Sequence, residues 1–100
     1  MPLTEWVMVV AGEVDDSALD GWNVWYDEVH LPEIVDCPGF VRATRLIGAD
    51  EPTAFVTIYE LDREDAMATA EFAARRGFGR FRENVRAQTR LYRRHLAAES

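Results

Sequence analysis

The sequence predicts an α+β fold of the ferredoxin-like type, in which one four-stranded antiparallel sheet carries two helices on one face. Segments with strand and helix patterns follow one another in the order β-α-β-β-α-β. A chain of 100 residues has material for one core, and 48% of these residues are hydrophobic. We therefore expect residues 1–100 to form a single domain.

The first strand and the first helix are predicted from composition. The segment Leu3 to Val10 is short and rich in β-branched and aromatic residues, which favour a strand. The next residues, AGEVDD, predict a turn. Asp16 or Ser17 can then cap a helix that continues towards His30.

One sector of this helix is apolar and forms its predicted packing face. The sector comprises Ala18, Leu19, Trp22, Trp25, Tyr26 and Val29. His30 lies at its edge, and Pro32 follows two residues later. Because proline lacks the amide proton and clashes with the carbonyl four residues earlier, we expect the helix to end or kink at His30. The segment PEIVD can add one more turn.

The middle of the chain predicts a β-hairpin. The segment CPGF has the proline and glycine of a tight turn. Strand patterns follow at Phe40 to Ile47 and at Ala54 to Leu61, separated by the turn-forming segment GADEP.

The last third predicts a second helix and a fourth strand. Asp62 can cap a helix over REDAMATAEFAARR, which Gly77 ends. After the connection GFGRFREN, the segment beginning at Val85 alternates with period two, which favours a strand over a helix.

A sheet with both helices on one face leaves its other face uncovered. We assign to that face five large residues: Trp6, Met8, Phe55, Tyr59 and Tyr92. This is more apolar surface than a solvated face normally carries, so we expect a second subunit to cover it in a homodimer.

Composition excludes several classes of function. A formal charge of -7 disfavours nucleic acid and anionic membranes as partners. No segment approaches the roughly 20 apolar residues of a membrane span, and no secretory leader is recognisable, so we expect a cytoplasmic location. Cys37 is the only cysteine and lysine is absent, which excludes an internal disulfide, a cysteine-rich metal site and Schiff-base catalysis.

Three segments together resemble a known family. WNVWYDEVHLPEIVDCPGFVRATRL, PTAFVTIYELD and a late YRR are similar to the EthD-like branch of the dimeric α/β-barrel superfamily, over nearly the whole chain. The resemblance implies two subunits packed sheet to sheet, each with a cavity between its sheet and its helices. Members include cofactor-independent monooxygenases, cyclases, dehydratases and decarboxylases of aromatic polyketide metabolism, lactone isomerases and haem-degrading enzymes. The match implies that His30 is the histidine of the family's His-x-Pro segment.

The aromatic and histidine candidates each have two interpretations. His30 can act as a general acid or base, or it can fix the chain reversal by bonding a backbone carbonyl. Trp22, Trp25 and Tyr26 can wall a substrate pocket, or they can belong to the core. Tyr59 can donate a hydrogen bond to an enolate or phenolate oxygen, or it can pack in a dimer.

The arginines are candidates for binding an anionic substrate group. Arg42 and Arg45 alternate on the second strand, as do Arg86 and Arg90 on the fourth, so one pair can point into the cavity. We select Arg42 and Arg90 as substrate-binding candidates, and surface ion pairs are the alternative.

Three further residues give weaker signals. Asp27 and His30 have a spacing seen in metal sites, but a single copy does not predict a metal centre. Cys37 is either a buried apolar residue or a nucleophile, with no neighbouring cation evident. His95 lies near the C-terminus, where a solvated side chain is the simplest interpretation.

These observations predict a homodimeric enzyme that acts on a small aromatic or polyketide-derived molecule by cofactor-independent acid/base chemistry. His30 would be catalytic, in a reaction of the cyclase, dehydratase, isomerase or monooxygenase type. The alternatives are a non-catalytic dimeric ligand-binding protein and a haem-binding or haem-degrading monooxygenase.

Overall fold

The computed structural model describes residues 3–100 and contains one antiparallel sheet of four strands. The strands are β1 (Trp6–Val14), β2 (Phe40–Ile47), β3 (Ala54–Leu61) and β4 (Val85–Arg93), in the spatial order β2-β3-β1-β4. Every neighbouring pair is antiparallel. With the helices described below, this architecture confirms the predicted ferredoxin-like α+β fold. The bounds of β2 and β3 are those predicted.

Strand β1 begins and ends later than predicted. It starts at Trp6 and continues through Val14, where a turn was expected. The extension is stabilised by pairing on both sides, because β1 is a central strand bonded to β3 and β4. Gly12 permits this pairing, since a Cβ atom there would lie only 2.1 Å from the backbone oxygen of Arg86.

The first helical region is continuous from Asp16 to Val35. A 3₁₀ turn precedes helix α1 (Leu19–Trp25), a π-helical turn spans Tyr26–His30, and helix α2 (Leu31–Val35) follows. The helix does not end at His30, although its hydrogen bonding changes there, and the extra turn expected over PEIVD is present as α2. The expected cap by Asp16 or Ser17 makes no side-chain bond. The wider hydrogen-bond spacing of the π turn takes the place of a break at Pro32.

The π turn changes which residues face the interior. A π turn holds more residues than an α turn, so residues four apart stay on one face and residues three apart diverge. Trp22, Tyr26 and Ile34 are buried with His30, which is only 4% exposed. Val29, expected on the packing face, is 49% exposed instead.

The second helical region is shorter than predicted. After a 3₁₀ turn at Ala66–Ala68, helix α3 covers Ala70–Arg75 and is capped by Thr69, whose hydroxyl oxygen accepts a bond from the amide of Phe72. The expected cap by Asp62 is wrong, since its carboxylate binds Arg63. Among residues 3–100, no helix is both long enough and apolar enough to cross a membrane.

The two faces of the sheet are built from alternate residues of each strand. The inner face packs under the helices and contributes Met8, Val10, Phe55, Tyr59 and Leu61 to the core. The outer face carries the residues between them, which are mainly aliphatic on the central strands β1 and β3 and mainly polar on the edge strand β4. Its apolar members are Val7, Val9 and Ala11 on β1, Val56 and Ile58 on β3, Leu46 on β2 and Tyr92 on β4.

The predicted outer face was therefore wrong in most of its members. Met8, Phe55 and Tyr59 are buried on the inner face, and Trp6 packs against the same core. Only Tyr92 lies on the outer face, where it is 49% exposed opposite Val7. Trp6, Met8, Phe55 and Tyr59 do share one face, but the assignment failed because strand periodicity does not tell which face of the sheet the helices cover.

Candidate active site

A cavity of about 530 Å³ lies between the inner face of the sheet and the helical layer. Its size is within the range of small-molecule binding sites. Its apolar lining includes Met8, Val10, Ile34, Met67, Phe72 and Phe78. Its polar side chains include those of His30, Tyr59, Arg76 and Thr89, and Gln88 borders it from a strand position whose side chain belongs to the outer face. An apolar cavity with a few polar groups suits an aromatic molecule with one or two functional groups.

His30 is held rigidly at this cavity by aromatic rings. Its imidazole stacks on Trp25, with 4.7 Å between ring centroids and 13° between the planes. The rings of Tyr26 and Phe78 meet it in edge-to-face arrangements, with ring centroids 5.1 Å and 6.3 Å from that of His30. The π turn provides this position because it directs His30 inward on the same face as Tyr26.

The two ring nitrogens of His30 have different environments. Nδ1 lies 3.2 Å from Oε1 of Glu33, one turn further along the helix. A carboxylate only accepts hydrogen bonds, so Nδ1 carries the proton and Nε2 keeps its lone pair. Within residues 3–100, Nε2 has no hydrogen-bond partner and is not among the fully buried polar atoms. It is therefore available to a molecule in the cavity.

Burial lowers the pKa of His30 below its ordinary value of 6.5, and the hydrogen bond and charge of Glu33 oppose that effect. The imidazole is consequently neutral at neutral pH. A neutral imidazole with a free Nε2 is the form that a general base requires.

A pair of tyrosines lies beside the histidine. The hydroxyl oxygens of Tyr59 and Tyr26 are 3.0 Å apart, and Tyr59 lines the cavity. Burial raises the pKa of both phenols, and that of Tyr59 is raised further by its neighbour Tyr26. Both hydroxyls therefore stay protonated and can donate hydrogen bonds. The guanidinium of Arg45 covers the ring of Tyr26 at 4.7 Å.

The other predicted aromatic residues lie behind the cavity. Trp22 is fully buried among five aromatic rings and does not line the cavity. Trp25 and Tyr26 do not line it either, but both contact the ring of His30. Their placement supports the histidine and does not form the cavity wall.

The structure does not bring the selected arginines to the cavity. Arg42 lies on the outer face and forms an ion pair with Glu60. Arg90 is exposed opposite Val9 on the same face. The expectation that these two arginines point inward is wrong, because each occupies an outer position of its own edge strand, Arg42 opposite Glu60 and Arg90 opposite Val9.

The weaker candidates are also placed elsewhere. Asp27 binds Arg45 at 3.3 Å and not His30. Cys37 is buried, and burial raises its pKa even though Nη1 of Arg75 lies 3.9 Å from Sγ. A neighbouring cation is therefore present, contrary to expectation. His95 is exposed beyond the end of β4. No group of three or more potential metal ligands occurs within residues 3–100.

Sequence reasoning missed Glu33 and Arg76. Glu33 has the same i, i+3 spacing from His30 that drew attention to Asp27, so the signal was present in the sequence. Nothing in the sequence identified Arg76 as a cavity residue, because its approach to the cavity depends on how the chain turns after α3.

Comparison with known proteins supports the fold. No protein-family model and no curated protein matches the sequence. Among solved structures, SnoaB, a cofactor-independent oxygenase from Streptomyces nogalater, has a TM-score of 0.74 at 19% identity, covering 97% of this chain and 100% of its own. A proposed antibiotic biosynthesis monooxygenase from Nitrosomonas europaea has a TM-score of 0.69 at 17% identity, and the match covers 93% of this chain and 92% of the other. HapK from Hahella chejuensis has a TM-score of 0.69 at 15% identity, and the match covers 95% of this chain and 97% of the other. At these identities the likeness establishes the fold alone.

Proposed function

We propose that this protein is an enzyme that binds a small aromatic or polyketide-derived molecule in the cavity and uses His30 as its general base. One observation carries the proposal. Nδ1 of His30 is bound to Glu33, while Nε2 keeps its lone pair and is available to the cavity. A base held in this way can remove a proton from a phenolic hydroxyl or from a carbon next to a carbonyl.

The reaction type that we propose is a monooxygenation that needs no cofactor. Such a reaction takes its electrons from the substrate, and a deprotonated substrate gives electrons to dioxygen more readily than a neutral one. Tyr59 supports this chemistry, since its hydroxyl can donate a hydrogen bond to the oxygen anion that forms. The structural likeness to a cofactor-independent oxygenase of the same fold supports oxygenation over the other reaction types.

The oligomeric state and the family branch are part of the same proposal. We infer a homodimer in which the outer sheet faces of two copies pack together, because that face carries aliphatic side chains without a cover in one subunit. The EthD-like branch is proposed on the His-x-Pro segment, and a cytoplasmic location on the single cysteine.

The decisive experiment measures oxygen consumption with a panel of hydroxylated polycyclic aromatic compounds that carry an acidic C–H or O–H group. His30→Gln should lower kcat/KM by about 10²- to 10⁴-fold, the usual contribution of a general base. His95→Gln is the matched control, since this exposed histidine should leave the rate unchanged. An unaltered rate in folded His30→Gln would refute the catalytic role. Binding without turnover by the wild type would favour a ligand-binding protein.

A further inference from the structure

Arg76 is the only arginine that lines the cavity in the part of the chain that the structure describes. It is exposed, so it lies where the cavity meets solvent. Six other arginines have carboxylate partners, namely Arg42, Arg45, Arg63, Arg75, Arg82 and Arg86. Arg76 forms no ion pair with an acidic residue within residues 3–100. Its five N–H donors are therefore available to a ligand.

The local backbone explains why Arg76 reaches the cavity. Helix α3 ends at Arg75, and Arg76 leaves it in an extended conformation with its amide still bonded to the carbonyl of Phe72. Gly77 follows with φ +99°, a conformation that favours glycine. The chain then returns to Phe78. Arg76 therefore lies between two residues, Phe72 and Phe78, whose aromatic rings belong to the same cavity.

The charges around the cavity are arranged asymmetrically. The carboxylate of Glu33 is bonded to His30, so this end would repel an anionic group. Arg76 supplies the opposite charge, and a guanidinium can bind a carboxylate through two parallel hydrogen bonds. The protein as a whole carries a charge of -7 and repels anions at long range, so binding of an anion in the cavity depends on the local charge of Arg76.

We propose that the cavity selects aromatic molecules that carry a carboxylate or phenolate, with the anionic group bound by Arg76 and the reacting atom directed to Nε2 of His30. This inference rests on the proposed function, because it orients the substrate of the same site. It makes Arg76 a residue that determines specificity and does not move the proton.

The test compares two probes of nearly equal shape, 2-naphthoate and the neutral 2-naphthamide. Their affinities are measured by isothermal titration calorimetry at low ionic strength for the wild type, Arg76→Gln and Arg82→Gln. Arg82 is an exposed arginine that does not line the cavity, so it controls for the loss of one positive charge. The full-length protein is used throughout.

We expect the wild type to bind naphthoate about tenfold more tightly than naphthamide, since a solvent-exposed charge-assisted bond is weakened by water and salt. Arg76→Gln should remove this preference by weakening naphthoate binding alone, while Arg82→Gln should retain it. Added salt should reduce the preference of the wild type.

The outcomes separate this inference from the function on which it rests. Equal binding of both probes by the wild type, or a preference that survives in Arg76→Gln, would overturn the role of Arg76 and leave the aromatic cavity intact. Failure of the wild type to bind either probe would contradict the anion selectivity and the aromatic ligand class together. Loss of turnover in His30→Gln is measured independently of both.

Discussion

The two faces of the sheet have different chemistry although the same four strands build them. The inner face carries large apolar and aromatic side chains with a few polar groups, including Tyr59 and Thr89, and encloses the cavity with the helices. The outer face is aliphatic at its centre, around Val9 and Ile58, and polar along the edge strand β4, and no helix within residues 3–100 covers it. Because successive residues of a strand point to opposite sides, each strand contributes to both. Substitutions can therefore alter one face and spare the other.

The largest expected effect on folding comes from the inner side. Trp22 contacts five aromatic rings and is fully buried, so Trp22→Ala should lower the free energy of unfolding by about 3 to 5 kcal/mol. Urea denaturation at one fixed protein concentration measures this. Trp22→Phe keeps an aromatic ring and should lose less. Val24→Ala, at a 58% exposed position, is the control. A loss below about 1 kcal/mol would contradict the central role of Trp22.

Substitutions on the outer face should weaken dimer formation more than they lower the stability of the subunit. Ile58→Asp would bury two carboxylates in the proposed dimer and should weaken it at least about 100-fold, which corresponds to about 2.8 kcal/mol. Sedimentation velocity at micromolar concentration measures the change. Val24→Asp adds the same charge on helix α1, away from this face, and should leave the dimer intact. A monomeric wild type, or an unchanged dimer in Ile58→Asp, would refute the interface.

The smallest expected effect is the pH dependence of stability that arises from His30, on the inner side of the sheet. Since burial lowers the pKa of His30, the unfolded chain binds a proton more readily than the folded one. The contribution of His30 to the free energy of unfolding should therefore fall as the pH decreases through 6.5 towards the folded pKa, and this contribution should level off below that value. Denaturation of the wild type and His30→Gln from pH 8 to pH 5 isolates this contribution. His95→Gln should follow the wild type. A wild-type profile that coincides with that of His30→Gln would contradict the burial effect.

The fold was largely predictable because its signals are local. Strands β2 and β3 have alternating or continuous apolar runs bounded by turn residues, and both were predicted with the observed bounds. The start of α3 was missed because Asp62 has a cap-like sequence but binds Arg63, and Thr69 provides the cap instead. Capping depends on which backbone amides are free, and that is decided by packing.

The site was predictable only in part. His30 lines the cavity, as the resemblance and its position before Pro32 suggested, although its catalytic role is still a prediction. The arginines were not predictable, because Arg42 and Arg76 differ in the direction that the backbone gives them and not in residue type.

By itself the sequence determined the order of the elements and the hairpin. It also placed His30 two residues before Pro32, at the end of an aromatic segment. These features follow from side-chain periodicity and backbone chemistry over a few residues. The tertiary structure alone decided that a π turn before Pro32 keeps the helix continuous, that Nδ1 of His30 binds Glu33, and that Arg76 meets the cavity. The physical reason is that strand register and helix packing fix the direction of each side chain through contacts between residues distant in sequence.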